Sequence, residues 1–119
     1  YVADNLYNPG HVMVFGGNNE ITESTVSHDS KIAGVVSTQP GFIMNNELEN
    51  STELALTGRV PCKVIGPIAK GDLVTSSSIS GVACKVDPTK YTPGCVIGKA
   101  LENYDYPTQG VIEVVVGRL

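Results

Sequence analysis

The sequence has no tryptophan, two phenylalanines and two histidines, and only 17% of its residues are charged. About 25% is usual for a soluble domain. A low charge density fits a chain of tight turns and small polar residues. It also fits surfaces covered in an oligomer, because the centres of interfaces are depleted in charge. Bases are scarce and unevenly placed. Residues 1–30 hold Asp4, Glu20, Glu23 and Asp29 and no Lys or Arg, so the net charge of −4 belongs to that stretch. Without a basic patch there is nothing to neutralise phosphates, and no nucleic-acid partner is expected. No apolar run approaches the ~18 residues of a membrane-spanning helix, so no membrane insertion is expected. No signal-peptide pattern is present either.

Sites for chemistry are equally scarce. Cys62, Cys84 and Cys95 form no C-x-x-C pair, which removes the ligand spacing of a zinc site and of a thioredoxin-like redox motif. They read as small buried thiols of a reducing compartment. No G-x-S-x-G elbow occurs. Ser27-His28-Asp29 places three suggestive residues side by side, but triads are assembled in space, so the segment reads as a solvated loop. His11 alternates within an apolar run and reads as an exposed or interface position. Phe15-Gly16-Gly17 lacks the strand-to-helix setting of a phosphate loop. No cofactor and no metal site is expected.

What the chain does have is β-branched runs punctuated by Gly and Pro. Strands are expected over His11–Phe15, Glu20–Glu23, Lys31–Thr38, Glu53–Val60, Cys62–Ile65, Asp72–Ser76, Gly81–Val86, Cys95–Leu101 and Val111–Gly117. No window supports a helix. Tyr1–Asn8 reads as irregular, and Asn45–Thr52 as a polar surface loop. Pro61 lacks an N–H and is expected to mark an edge, a bulge or a strand switch. The expectation is a single all-β domain over residues 1–119, a barrel or sandwich of about nine to eleven short strands.

The chain also repeats itself around a seam, Leu54–Thr75. Pro9-Gly10-His11-Val12-Met13 is echoed by Lys70-Gly71-Asp72-Leu73-Val74. Gly34 inside Ile32–Ser37 is echoed by Gly98 inside Val96–Leu101. Leu54-Ala55-Leu56-Thr57-Gly58-Arg59-Val60 is echoed by Glu113-Val114-Val115-Val116-Gly117-Arg118-Leu119. Glycine within a strand marks a bulge, a bend or a close backbone approach. Matched glycines therefore predict two halves, about 9–60 and 70–119, that bend alike, with Gly58-Arg59 and Gly117-Arg118 in equivalent places.

Four residues stand out for recognition. Arg59 and Arg118 end apolar runs, where a guanidinium can grip a carboxylate within the chain or across a subunit interface. Tyr104 and Tyr106 lie in the polar loop 103–110, and tyrosine is favoured in contact loops. Asn45, Asn46 and Asn50 lie in the most polar segment, where an asparagine can cyclise and cleave its own chain.

Taken together, ADNLYNPGHVMVFGG, KIAGVVSTQPGFIMN, ALTGRVPCKVIGPIAKGDLVTSS and GCVIGKALENYDYPTQGVIEVVVGRL resemble the C-terminal domains of bacteriophage tail-fibre and tail-spike proteins. They are also similar to the β-rich peptidase G2, or intramolecular-chaperone autoproteolytic, domain. The likeness runs over nearly the whole chain and rests on the order of the blocks. It implies a virion fibre-tip domain that follows a long shaft, assembles as a homotrimer and contacts a host-surface glycan or protein. It further implies that Tyr1 lies inside a longer parent chain and that Gly117-Arg118-Leu119 is that parent's C-terminus. Two alternatives accompany it. One is a self-cleaving maturation domain with Asn45, Asn46 or Asp29 as candidates, although no catalytic residue of that type can be matched position by position. The other is a carbohydrate-binding module using Tyr104 and Tyr106.

Overall fold

The computed structural model describes residues 1–37 and 52–117. They are all-β: nine strands and one 3-10 turn, Pro88–Lys90. The strands are β1 (Val12–Phe15), β2 (Ile21–Glu23), β3 (Ile32–Val36), β4 (Leu54–Ala55), β5 (Gly58–Val64), β6 (Leu73–Ser76), β7 (Ala83–Lys85), β8 (Val96–Ala100) and β9 (Gly110–Val116). They form a four-stranded sheet in the order β2-β1-β3-β4 and a closed barrel in the order β5-β7-β6-β8-β9. Asn45, Asn46, Asn50 and Arg118 lie outside the described residues.

The barrel contains a copy of the sheet. The sheet order β2-β1-β3-β4 matches β7-β6-β8-β9 strand for strand. Met13 faces Gly34 as Val74 faces Gly98, and each pairing slips register at the next step, between Met13 and Val14 and between Val74 and Thr75. Gly10 N–H donates to Val36 O at 2.9 Å, and Gly71 N–H donates to Ala100 O at 2.8 Å. Both glycines have φ near +90° (+91° and +92°), a conformation that costs other residues a steric penalty. Ser24 N–H reaches Val12 O as Val86 N–H reaches Leu73 O.

The third sequence echo is one residue out. Leu54 pairs with Val36, and the counterpart of Val36, Ala100, pairs with Val114. Leu54 therefore corresponds to Val114, not to Glu113. Gly58 opens β5, opposite Val116, whereas Gly117 follows the end of β9. Gly58 and Gly117 do not hold equivalent places.

Pro61 does not interrupt the chain. It sits inside β5, opposite Glu113, and the break falls earlier, at Leu56-Thr57. In an antiparallel ladder successive residues bond to opposite sides. Lys63 and Ile65 share Pro61's side of the strand and donate to Gly10 O and Ala83 O, both at 2.9 Å. Pro61 faces the same way, away from the β9 ladder, so its missing N–H removes no bond to β9.

Burial follows the pleat. In β5, Val60, Cys62 and Val64 point inward with Val74, Ala83, Ala100, Val114 and Val116, and Val12 and Val35 of the sheet join this main cluster. A smaller cluster of Ala3, Tyr7, Met13, Ile21 and Val36 lies under the sheet. Among the described residues no helix is long and apolar enough to cross a membrane.

Candidate functional site

Polar chemistry collects where the sheet meets the barrel. His11 precedes β1, and its ring is only 14% exposed. Its Nε2 lies 2.7 Å from Glu23 Oε2, and its Nδ1 lies 3.2 Å from Lys63 Nζ. An ammonium can only donate, so Nδ1 accepts from Lys63 and Nε2 carries the proton given to Glu23. The imidazole is thereby held in one tautomer between a base from the barrel and an acid from the sheet. Tyr7 stacks on it at 4.9 Å with a 32° tilt. Beyond Tyr7, its hydroxyl donates to Asp4 Oδ1 at 2.7 Å, and Thr22 donates to Asp4 Oδ2 at 2.8 Å. The Tyr7 bond, aided by Thr22, holds the Asp4 carboxyl below its ordinary value against the opposing effect of burial. Burial, and then the same bond to Asp4, push the Tyr7 phenol above its ordinary value.

The second histidine is a strut. His28 sits at φ 55°, and its Nε2 accepts the Asp87 N–H at 2.9 Å. Nδ1 must then carry the proton, which is donated to Ser27 Oγ 2.7 Å away. This polarity is the reverse of a base that activates a serine. Asp29 turns elsewhere: its Oδ1 accepts from Lys31 N and lies 3.5 Å from Lys31 Nζ. The segment expected to be a solvated loop is instead tied to the barrel, with Ser76 Oγ bonded to Asp29 N and Val26 O.

Tyr104 and Tyr106 do come together. Their rings meet edge to face at 5.4 Å. Tyr104 is half-buried against the main core cluster, and its hydroxyl donates to Thr108 O at 2.8 Å. Gly110 leaves the space its ring fills, since a Cβ there would fall on the phenol. Tyr106 is 65% exposed. Its carbonyl accepts Gly66 N–H at 2.8 Å, which fastens the loop to the Gly66-Pro67 turn. Next to that turn a shallow cleft of about 490 Å³ is lined by Gly66, Pro67, Cys84, Lys85, Val86 and Asp87. Arg59 is exposed on β5, opposite Val115, and has no ion pair among the described residues. It does not join the tyrosines.

Among the described residues no three His, Cys, Asp or Glu side chains are grouped to hold a metal ion. Sequence reading passed over Tyr7, Lys63 and Glu23. The repeat held the signal: extending the Gly10–Gly71 match backwards sets Tyr1–Asn8 against Cys62–Ala69, and Ala3 bridges Ile21 as Val64 pairs with Ala83, although Tyr1–Asn8 otherwise forms no strand, as expected. Comparison with known families, curated proteins and solved structures finds no match to this chain.

Proposed function

We propose that this chain is a structural domain of a phage or prophage tail fibre: a homotrimeric fibre tip in the virion that contacts the host surface through the Tyr104–Tyr106 loop. The observation that carries the structural reading is the state of the two histidines. Each has both ring nitrogens committed to a structural bond, so neither offers a free lone pair to act as a general base. The His11 ring joins sheet to barrel, and the His28 ring ties its own loop to Asp87. The sequence resemblance supplies the virion setting. The low charge fraction and exposed apolar side chains such as Leu56, Val111 and Tyr106 fit surfaces that meet other subunits or a receptor.

Light scattering on the purified domain tests the assembly. A mass about three times 12.5 kDa is expected, and a monomer at micromolar concentration would overturn the trimer for this chain. Binding of the trimer to host-surface glycans, abolished by Tyr106→Ala without change in mass, tests the contact surface.

A further inference from the structure

The two units of the repeat, β1 to β4 and β6 to β9, are joined through bonds that run in one direction only. Gly81, in the turn between β6 and β7, reaches the first unit twice: its N–H donates to Ser24 O and its carbonyl accepts from Val12 N, both at 2.9 Å. Val12 and Ser24 are neighbours on adjoining chain segments. Ser24 N–H bonds to Val12 O, the return bond from Val12 N–H to Ser24 O is not made, and the Gly81 peptide fills the gap. The second unit has the same gap and nothing in it. Val86 N–H bonds to Leu73 O at 2.9 Å, and again the return bond is not made. A strand residue points its N–H and C=O to the same side, so the Leu73 N–H faces the β7 edge beside Val86. Neither the Leu73 N–H nor Val86 O has a hydrogen-bond partner among the described residues.

The side chains repeat the pattern. Asp72 and Lys85 stand where His11 and Glu23 stand, with Lys85 Nζ 3.6 Å from Asp72 Oδ2. The His11 ring is covered and 14% exposed, whereas the Lys85 side chain is 57% exposed and borders the cleft of about 490 Å³. A one-directional contact is heterologous: it leaves one unmatched surface on each unit, and between molecules it closes a ring or extends a filament. The unmatched surface of the first unit is the turn between β1 and β2. It is closed by Gly16 N–H on Glu20 O at 3.2 Å, as the other turn is closed by Ser77 N–H on Val82 O at 3.0 Å. Asn19 precedes Glu20 as Gly81 precedes Val82. Residues 16–20 are exposed, and the backbone N–H and C=O of Asn19 have no partner among the described residues. Gly81 can carry no side chain because its Cβ would fall on the His11 ring; the shorter Asp72 leaves room for the Cβ of Asn19. Charge agrees. Residues 1–30 hold four acids and no Lys or Arg, while Lys70, Lys85 and Lys90 around the vacant gap outnumber Asp72 and Asp87.

We propose that the gap between Leu73 and Val86 seats the β1–β2 turn of a second copy of this chain. Asn19 N–H donates to Val86 O and Asn19 C=O accepts from Leu73 N–H, as Gly81 does within the chain. Each copy gives one turn and receives another, so the contact is head to tail. This names the surfaces of the assembly proposed above and rests on that assembly, though not on its virion setting.

Hydrogen exchange across a concentration series, with the mass read by light scattering, tests the contact. On assembly the Leu73 and Asn19 amides are expected to slow by about tenfold or more, while Val12 and Gly81, already bonded within the chain, stay as they were. Cross-linking tests the direction. Asn18→Cys and Lys85→Cys are made separately in a Cys84→Ser background, refolded together and treated with a short thiol-to-thiol linker. A dimer band is expected from the mixture and from neither variant alone. Assembly with unchanged exchange at Leu73, or a band from either variant alone, would overturn this contact and leave the assembly standing. A monomer at every concentration would overturn both.

Discussion

The imidazole of His11 occupies the volume that a side chain at Gly81 would need. A Cβ built on Gly81 would fall on the ring, and Gly81 holds φ +72°. The same glycine stitches the two units together: its N–H donates to Ser24 O and its carbonyl accepts from Val12 N, both at 2.9 Å. Gly81→Ala should therefore destabilise the protein by about 2–4 kcal/mol, from the positive φ and the overpacking combined. His11→Ala empties the contested space. In that background Gly81→Ala should cost about 1 kcal/mol, leaving the backbone effect alone. Urea unfolding of the four proteins in the cycle checks this; additive costs would mean that the ring is not what excludes a side chain at position 81.

The three thiols should separate by burial. All are free, and Cys62 and Cys95 are buried. Burial pushes the Cys62 thiol up to about 12. It raises the half-buried Cys84 as well, opposed in part by Lys90. With an aromatic disulfide reagent near neutral pH, Cys84 is expected to label first and slowly, because the thiolate is the nucleophile. Cys62 is expected to label only as the protein unfolds. Mass spectrometry of the labelled peptides resolves the order, and prompt labelling of Cys62 would contradict its place in the barrel core.

Strand positions were legible in the sequence because they rest on short-range chemistry: β-branched runs such as Val12–Phe15 and Gly110–Val116, cut by Gly and Pro. The matched bulges were also legible, because Gly34 and Gly98 sit at the same step of two ladders. The one-residue offset of Gly58 against Gly117 was not. Two glycine-arginine pairs look alike as letters, and register is a property of the partner strand. Closure was hidden for the same reason: a lone parallel pairing of Val64 with Ala83 leaves no periodicity to read. The His11 clamp draws Glu23 and Lys63 from distant segments, so no local pattern could announce it.

The Asp4–Tyr7 bond should appear as a pH window. The Asp4 carboxyl is held below 3.8, chiefly by the Tyr7 hydroxyl. Its contribution is complete above that value and is lost as pH falls through the lowered one. The Tyr7 phenol is raised above 10.0, so its contribution is complete below 10.0 and is lost as pH rises through the raised value. Tyr7→Phe removes a hydrogen bond to a charged acceptor and should cost about 1–2 kcal/mol across the plateau between these limits. The difference from the parent chain should shrink on both the acid and the alkaline side. Denaturant midpoints measured across pH check this, and a pH-independent difference would show that the phenol acts through packing alone.

Thr75 repairs a gap that its counterpart meets by another route. At the bulge of β6 the chain slips from facing Gly98 to facing Val96. The buried Thr75 hydroxyl donates to Cys95 O at 2.5 Å. In the sheet the matching residue is Val14, which has no hydroxyl, and the matching carbonyl, Lys31 O, takes the backbone N–H of Phe15 at 2.8 Å. Thr75→Val keeps the shape and removes the donor from a site with no access to water, so it should cost about 1–3 kcal/mol. Thr75→Ser keeps the donor and loses one methyl, and should cost about 1 kcal/mol. If unfolding experiments rank valine as the milder change, the hydroxyl is not what satisfies Cys95, and the two bulges are held by backbone alone.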